Sequence, residues 1–388
     1  MRDTAAPLAS GLEGVVVAET RLSEVDGERG RLTLAGHDVE ELAGEGGATF
    51  EDVCGLLWGG ALPAAAEREA LRAAIAEGRA RAFALLGRLG DALEAPDGMD
   101  ALRAAVAHLG SDAPPAAIAG AVATFAAAWA RRRAGEAPVA PDPALRHAAD
   151  TLRMVQGAAA SEAEARALDT YLVTVSDHGM NASTFAARVV TSTGSDAISA
   201  VVAAIGALKG PLHGGAPGPV LDMLDVIGAE AGGAEAGERA AAVAGCAERW
   251  IQAELAAGRR IMGMGHRIYR VRDPRAAVLE RAIERLGRTA GGAQGARLAL
   301  ARAVERAAEA ALRARHPERP LRANVEFYTA VLLDALGLPR TLFSPTFAAG
   351  RVAGWCAHID EQRRVGRLIR PSSRYIGGVP RTAAAALS

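Results

Sequence analysis

Three of the eight histidines lie in short turns that are rich in glycine or in helix-capping residues. They are His178 within residues 176–184, His213 within 210–215 and His266 within 263–267. A neighbouring glycine lets the backbone approach a ligand closely and leaves the imidazole accessible. Taken singly, each could be an ordinary loop histidine, but three in such settings indicate a ligand site. Four others have no such context and are interpreted as structural: His37, His108, His147 and His316.

Arginines near two predicted helices could supply positive charge to that site. Arg275 stands at the start of a helix opened by Asp273-Pro274, where the positive end of the helix dipole disfavours a cation. It is either a solvated surface arginine or the partner of an anionic carboxylate, which would also suit the helix N-terminus. Further along, one helix face carries four polar or aromatic residues, and Arg370-Pro371 follows that helix. The four residues of this face are Arg351, Trp355, His358 and Gln362.

Glu326 is the candidate base. It lies in the first turn of a helix that Asn324 is expected to cap, between the apolar residues Val325 and Phe327. Its carboxylate could simply complement the helix dipole. Alternatively, the apolar neighbours could desolvate it and make it suitable for proton abstraction.

Helices must position these residues, because long Ala/Leu/Arg/Glu segments with a 3.6-residue period dominate and aromatic residues make up only 4%. We therefore predict a mainly α fold. One exception is expected near the start, where 15–17 and 31–34 flank Asp26-Gly27 and suggest a short β-hairpin. The uncharged segment 114–130 is too weakly hydrophobic for a membrane span and is predicted to be a buried core helix.

Several helix boundaries and loops can be assigned from capping patterns. Expected starts are the Ser161/Glu164 capping box, Asp273-Pro274 and Ser344-Pro345, and expected ends lie near Leu208 and at Gly337 before Pro339. Two stretches, 135–143 and 287–295, are predicted to be exposed loops between helices.

Composition narrows the classes of function. The 388 residues carry 44 Lys+Arg and 45 Asp+Glu, which argues against a dedicated nucleic-acid or anionic-membrane partner. Lys209 is the only lysine, so a Schiff-base mechanism has one candidate.

Cys54, Cys246 and Cys356 are scattered, which favours a reducing cytoplasm and no metal site or disulfide framework. The N-terminus lacks the apolar stretch of a signal peptide, so a soluble cytoplasmic protein is expected.

The sequence resembles the citrate synthase family of bacterial type, over nearly its whole length. Ordered motifs carry the resemblance: 11–16, 25–32, Asp177-His178, 210–215, 265–270 with Asp273-Pro274-Arg275, 324–328, 347–361, Arg370-Pro371 and 375–377. The resemblance implies a citrate-synthase-like fold, with a large helical domain over 1–217 and 329–388 and a smaller helical domain over 218–328. It also implies a homodimer whose domains close over oxaloacetate and acetyl-CoA. The shorter, dimeric members are more similar than the hexameric ones.

The implied reaction condenses oxaloacetate with acetyl-CoA through an enol or enolate, and then hydrolyses citryl-CoA to citrate and CoA. Neither a metal nor a redox cofactor is implied, and acetyl-CoA is a co-substrate. By the resemblance, His213 stabilises the thioester oxygen, Glu326 is the base, and His266 polarises the oxaloacetate carbonyl. The implied oxaloacetate ligands are His178, Arg275, Arg351 and Arg370, the last of them reaching the neighbouring subunit's site. The implied CoA contacts are Arg270 and the backbone of Ile261, Met262, Gly263, Met264 and Gly265.

Three departures from the family pattern leave the acyl-CoA open. Glu326 replaces the usual Asp, Gly179-Met180 replaces Glu-Leu, and Pro217 replaces Asn. A propionyl-CoA-using 2-methylcitrate synthase is therefore one alternative, since one methylene in a pocket is worth only about 1–3 kcal/mol. A citrate-synthase-like binding protein with weak or no catalysis is the other. Against the second alternative, the histidines and clamp arginines are all present.

Overall fold

The computed structural model of the chain describes residues 10–213, 217–232, 239–290 and 292–377. Fifteen α-helices and three short strands lie within these ranges, and the predicted mainly α class is confirmed. The strands are β1 (Ser23–Asp26), β2 (Arg31–Leu34) and β3 (His37–Asp38). The helices are α1 (Val39–Leu42), α2 (Phe50–Gly59), α3 (Ala65–Leu85), α4 (Gly98–Val106), α5 (Pro115–Arg133), α6 (His147–Gln156), α7 (Glu162–Val175), α8 (Ala182–Ser192), α9 (Ala197–Leu208), α10 (Pro217–Ala231), α11 (Arg239–Ala256), α12 (Pro274–Ala290), α13 (Gly292–Arg315), α14 (Val325–Ala335) and α15 (Phe343–Val365).

The three strands form one antiparallel sheet in the order β1-β2-β3. In β2, Leu32 and Leu34 point into the core and are fully buried, as the two-residue period of a strand requires. The predicted hairpin is present, but its first strand was assigned wrongly. Residues 15–17 lie outside the strands and are exposed, and β1 instead pairs Ser23 with Leu34 and Asp26 with Arg31. Three consecutive valines lack the alternation by which a strand buries one face, whereas Val25 packs against the core.

Two helices, α5 and α15, form the centre of the molecule. The predicted core helix is confirmed: α5 is buried along most of its length, packed by α3, α4, α6 and α15. Its many alanines and Gly120 let these neighbours approach closely. α15 contacts α2, α5, α7, α8 and α9, and its polar residues Arg351, His358 and Gln362 are buried. In the described part of the chain, every helix is too short or too polar to cross a membrane.

The crossing of α3 and α5 depends on two glycines. A Cβ placed on Gly120 would lie 2.5 Å from the carbonyl oxygen of Ile75, and one on Gly78 would lie 2.7 Å from Ala117 Cα. The Gly120→Ala substitution is therefore expected to lower the free energy of unfolding by about 1–3 kcal/mol, since overpacking forces backbone to shift. Chemical denaturation measures this change. The matched control is Gly87→Ala, at an exposed position with open space around its Cβ, and an equal loss there would contradict the explanation.

Helix starts and ends mostly follow the capping residues. Ser161 and Glu164 form the predicted capping box of α7, Asn324 caps α14 as expected, and Gly337 lies just beyond the end of α14. The start predicted at Ser344-Pro345 was wrong, because α15 begins at Phe343 and a 3₁₀ turn leads directly into it. Proline is tolerated anywhere in a first turn, where backbone N–H groups have no intrahelical acceptor, so its position does not fix the first residue.

Of the two predicted loops, one is confirmed. Residues 135–143 connect α5 and α6, whereas the loop predicted at 287–295 was wrong. There α12 continues to Ala290 and α13 begins at Gly292. A glycine inside a helix costs only about 1 kcal/mol relative to alanine, which neighbouring good helix formers can offset.

Helices α10 to α14 pack mainly on one another, and α12 also packs against α7. This second group of helices carries Glu326, which lies in α14. It also includes the loop between α11 and α12 and the loop between α13 and α14. The division into domains at 217/218 and 328/329 stays a prediction.

Candidate active site

His178 lies in the turn between α7 and α8. Its side chain is buried, and its Nε2 lies 3.1 Å from the hydroxyl oxygen of Tyr269. Gly179 adopts a positive φ of 60°, which lets the chain reverse there before Asn181 caps α8. Burial and the nearby Arg275 lower the pKa of His178 well below its usual range, so the imidazole is neutral.

His266 lies beside His178, with their ring centroids 5.5 Å apart, and Tyr269 contacts both rings. The His266 Nδ1 accepts hydrogen bonds from the backbone N–H groups of Ile268 at 3.0 Å and Tyr269 at 3.1 Å. Because Nδ1 is an acceptor, the ring proton must be on Nε2. Burial and then Arg275 lower the pKa of His266 to about 4, so it is a neutral Nε2–H donor at neutral pH.

The loop that carries His266 is held by backbone hydrogen bonds to the segment before α14. Gly265 N–H donates to the Arg322 carbonyl at 2.7 Å, and Asn324 N–H donates to the Gly263 carbonyl at 2.9 Å. The Asn324 side-chain amide donates to the Gly265 carbonyl at 2.8 Å. A Cβ on Gly263 would lie 2.9 Å from Val220 Cγ2 and 3.0 Å from Phe327 Cβ, and the positive φ of 76° also favours glycine there. These bonds fix His266 relative to the start of α14, where Glu326 lies.

Glu326 is held in the first turn of α14, where its backbone N–H donates to the capping Asn324 oxygen at 3.0 Å. Its Oε2 is buried and has no hydrogen-bond partner in the described part of the chain. Burial raises the pKa of Glu326 to about 7, although Arg275 and Arg351 partly oppose this effect. A carboxylate with an unused oxygen and such a pKa is suited to accept a proton near neutral pH.

Arg275 is buried at the start of α12 and forms a two-pronged pair with Asp273. Its Nε and Nη2 lie 3.0 and 2.8 Å from the two Asp273 oxygens. Asp273 also accepts the N–H of Val325 at 3.0 Å, so one carboxylate joins the starts of α12 and α14. Burial alone would lower the pKa of Arg275, but Asp273 raises it. Asp273 thus offsets the unfavourable placement of an arginine at a helix N-terminus.

Arg351 is buried in α15, where its Nε donates to the Val175 carbonyl and its guanidinium lies 4.7 Å from the Phe347 ring centroid. Among the described residues, no carboxylate forms an ion pair with it. Burial lowers its pKa to about 10, with nearby Asp177 opposing that effect. A buried cation without a paired anion is costly, which favours a site that receives an anionic ligand.

His213 lies after α9, and its Nε2 is 2.9 Å from the Ser183 hydroxyl oxygen. That hydroxyl accepts the indole N–H of Trp355 at 3.1 Å and lies 2.8 Å from Asn181 Oδ1. Burial and then Arg351 lower the pKa of His213 to about 4, so this imidazole is also neutral at neutral pH. The predicted turn partners Gly214 and Gly215 lie outside the described residues.

A buried polar network lies behind the His178 turn. His358 on α15 accepts from Arg188 on its Nδ1 at 2.8 and 3.0 Å, and its Nε2 lies 3.2 Å from both Asp177 oxygens. Arg188 also bonds to Gln362 at 3.0 Å and pairs with Glu361. His358 and Gln362 therefore support the site from behind, while Arg351 on the same helix faces it.

The sequence reasoning missed three side chains of this site. Tyr269 bonds to His178, Ser183 bonds to His213, and Asp273 holds Arg275. Tyr269 could have been noticed because it follows His266 by three residues inside the same motif, and Asp273 because it precedes Arg275 by two. Nothing in the local pattern around Ser183 links it to a residue 30 positions later.

Six predicted residues converge: His178, His213, His266, Arg275, Glu326 and Arg351. Coulombic effects on their pKa values connect Glu326 with Arg275 and Arg351, and His213 with Arg351. Arg370 is exposed in the segment after α15, and Arg270 is exposed beside the hairpin, where its N–H donates to the Gly27 carbonyl at 2.9 Å. Of the residues interpreted as structural, His147 is fully buried and stacks on Phe50.

The arrangement combines two buried arginines, neutral imidazoles and one carboxyl group with a pKa near 7. Arginine forks hold carboxylates, a neutral Nε2–H polarises a carbonyl oxygen, and the carboxylate removes a proton next to a carbonyl. Within the described ranges, no three His, Cys, Asp or Glu side chains form a grouping that could hold a metal ion. The site is thus equipped to bind an anionic carbonyl compound and to remove a proton next to a carbonyl group.

Comparison of the sequence and the structure with known proteins finds citrate synthases and a 2-methylcitrate synthase. The family description "Citrate synthase, C-terminal domain" matches residues 11–372. The citrate synthase of Haloferax volcanii is 38% identical over 390 residues, covering 95% of this chain and 96% of that protein. A Mycobacterium tuberculosis protein named 2-methylcitrate synthase is 36% identical over 386 residues, covering 95% and 91%. The structure of Thermoplasma acidophilum citrate synthase with carboxymethyl coenzyme A and oxaloacetate is 27% identical, with a TM-score of 0.83 over 97% of this chain and 98% of that one.

Proposed function

The chain belongs to the citrate synthase family and is a citrate synthase-type acyltransferase, and from this premise we propose that it condenses oxaloacetate with acetyl-CoA. One observation carries the proposal. Glu326 places an unpartnered, buried carboxylate oxygen beside two buried arginines, one of which lacks an ion pair among the described residues. Oxaloacetate is a dianion with a ketone, so its carboxylates suit the arginines and its ketone oxygen suits His266.

In the proposed reaction, the Glu326 carboxylate removes a proton from the acetyl methyl group. In the proposed tautomer the Ser183 hydroxyl donates to Nε2 of His213 rather than to Asn181 Oδ1, so the single ring proton is on Nδ1. Nδ1 then donates to the thioester oxygen and stabilises the enol or enolate. The enol carbon then attacks the ketone carbon of oxaloacetate, and the ketone oxygen takes the Nε2 proton of His266. Water finally cleaves the citryl thioester: its hydroxyl adds to the acyl carbon, its proton returns to Nε2 of His266, and the proton held by Glu326 passes to the departing sulfur. Citrate and free CoA thiol are released and both residues return to their starting states.

Two exposed arginines, Arg370 and Arg270, are proposed to contact the substrates. The exposed Arg370 would contact oxaloacetate in the neighbouring subunit, and the exposed Arg270 with backbone 261–265 would contact CoA. A homodimer is part of the proposal, as the family resemblance implies. The predicted domains at 1–217 with 329–388 and at 218–328 would close over the site. Light scattering tests the assembly, and a hexamer mass would contradict it.

A second candidate differs only in the acyl group. The similarity of this chain to a relative named 2-methylcitrate synthase supports propionyl-CoA as an alternative substrate for this chain. Glu326 is one methylene longer than the aspartate usual in the family, so the position of its carboxylate relative to the acyl carbon is changed. An added methylene on the substrate changes specificity by only about 1–3 kcal/mol.

Release of free CoA thiol in the presence of oxaloacetate, compared between acetyl-CoA and propionyl-CoA, tests the proposal. A higher kcat/KM with acetyl-CoA is expected. A higher value with propionyl-CoA would assign the protein to 2-methylcitrate synthesis. Oxaloacetate binding without thiol release from either substrate would instead indicate a binding protein with weak or no catalysis.

The pH dependence of kcat/KM for acetyl-CoA is expected to follow ionisation of Glu326. Since burial raises its pKa to about 7, activity should rise with pH through that value and level off above it. The pKa values of His213 and His266 lie at about 4, so both stay neutral across this range. Steady-state rates over pH 5–9 measure the profile, and a profile flat through neutral pH would argue against Glu326 as the base.

A further inference from the structure

Residues 23–30, comprising β1 and the turn that follows it, touch both loops that carry the oxaloacetate histidines. This segment joins two parts of the site that are far apart in the sequence. Its β1 end lies against the His178 turn, and its turn lies against the loop after His266. We refer to residues 23–30 as the hairpin bracket.

At the first contact, Ser23 bonds to the turn on two sides. Its Oγ donates to the Asp177 carboxylate and accepts the N–H of Gly179 at 2.9 Å. Val25 extends the contact, because a Cβ on Gly179 would lie 3.5 Å from Val25 Cγ2. The residues immediately before and after His178 are therefore both held by one serine hydroxyl.

At the second contact, the turn packs directly on backbone. The N–H of Arg270 donates to the Gly27 carbonyl at 2.9 Å. A Cβ on Gly27 would overlap the carbonyl oxygen of Ile268, and one on Gly30 would lie 2.5 Å from Val271 Cγ2. Ile268 also supplies one of the two N–H groups that hold His266 Nδ1, so displacing its peptide would disturb the imidazole.

We propose that the hairpin bracket sets the spacing between His178 and His266, with Ser23 and Gly27 as positioning residues for oxaloacetate. This inference rests on the proposed function, because it takes oxaloacetate as the ligand of both histidines. The bracket itself supplies no group to the reacting atoms. It acts through the Asp177–Gly179 turn on one side and the Ile268 peptide on the other.

Strand pairing makes the hairpin bracket rigid. Between Ser23 and Gly27 the chain is mostly β-strand, paired from Ser23 to Asp26 with β2, so the two contacts are held at a fixed separation. The rings of His178 and His266 also meet edge to face with centroids 5.5 Å apart, and Tyr269 lies against both. A displacement of about 1 Å at a reacting group can change rates by about 10²-fold.

Calorimetric titration of oxaloacetate into the full-length protein tests the inference, because it separates the dissociation constant from the number of competent sites. Ser23→Ala is expected to raise Kd by about tenfold, in line with loss of a hydrogen bond to a charged group. Ser23→Thr keeps the hydroxyl and should restore Kd to within about threefold of the wild type. Gly27→Ala should raise Kd by about 10- to 100-fold. Gly87→Ala, whose Cβ meets open space, is the control and should not change Kd.

The outcomes separate this inference from the function on which it rests. A wild type that binds oxaloacetate, with both variants binding equally tightly, would overturn the inference alone. A purely structural role would reduce the number of competent sites or the unfolding temperature at unchanged Kd, which also overturns it. If the wild type does not bind oxaloacetate, the proposed function fails and the inference fails with it. Raised Kd in Ser23→Ala and Gly27→Ala, with rescue by Ser23→Thr, supports it.

Discussion

Replacing Glu326 by glutamine is expected to lower kcat by about 10²- to 10⁴-fold, the usual contribution of a general base. Glutamine has nearly the same shape as glutamate but cannot take the methyl proton. The backbone N–H of residue 326 should still donate to Asn324, so α14 and its cap should be preserved. Because the substitution removes a negative charge near Arg275 and Arg351, oxaloacetate should bind at least as tightly. Thiol release measures kcat, and calorimetry measures binding.

The matched variant is Glu326→Asp, which keeps the carboxylate and shortens its reach by one methylene. We expect it to retain more activity than Glu326→Gln and to keep the rise of activity with pH, whereas the glutamine variant should lose that rise. Turnover at the wild-type level in Glu326→Gln would remove this residue from the role of base. Equal activity in the two variants would show that the carboxylate charge is not what matters.

Replacing Arg351 by glutamine is expected to raise the Kd for oxaloacetate by about 30- to 4,000-fold. Truncating one partner of a buried charge pair costs about 2–5 kcal/mol, and each 1.4 kcal/mol corresponds to about tenfold in Kd. Arg351 is buried and has no carboxylate paired with it among the described residues, so the substrate would be its counter-ion. Calorimetry in the absence of CoA measures the change directly.

The control is Arg363→Gln on the same helix, where the side chain is exposed and outside the site. It should leave Kd unchanged. Unchanged oxaloacetate affinity in folded Arg351→Gln would contradict the assignment.

Local patterns predicted much of the fold. Helical periodicity, the Ser161 capping box and Asn324 before α14 act within four residues, and the structure confirms them. The predictions were wrong where the same short sequence pattern is compatible with more than one secondary structure. Residues 15–17 have high strand propensity but no buried face, and Gly287 lies inside α12 because helix formers surround it. Pairing and packing decide such positions, and neither can be derived from a short window.

In the candidate site, too, features set by local sequence could be predicted, whereas contacts between distant segments could not. His178, His213 and His266 stood out because glycine-rich or capping turns are local, and the structure brings them together with Glu326 and both arginines. Contacts between distant segments could not be derived in this way. Examples are Tyr269 with His178 and Ser183 with His213, which join residues 91 and 30 positions apart. The roles of the site residues came from the family resemblance and stay predictions until the variants are measured.

The hydrogen bonds between 263–265 and 322–324, together with Asp273, have a mechanical consequence. They make His266, Arg275 and Glu326 one block, to which the hairpin bracket joins the His178 turn, whereas His213 follows α9 and Arg351 lies in α15. If the enzyme opens to admit substrate, the proton acceptor and the carbonyl-polarising imidazole travel together. Their alignment would thus survive every opening cycle, and only the distances from this block to His213 and Arg351 would have to be re-established each time the enzyme closes.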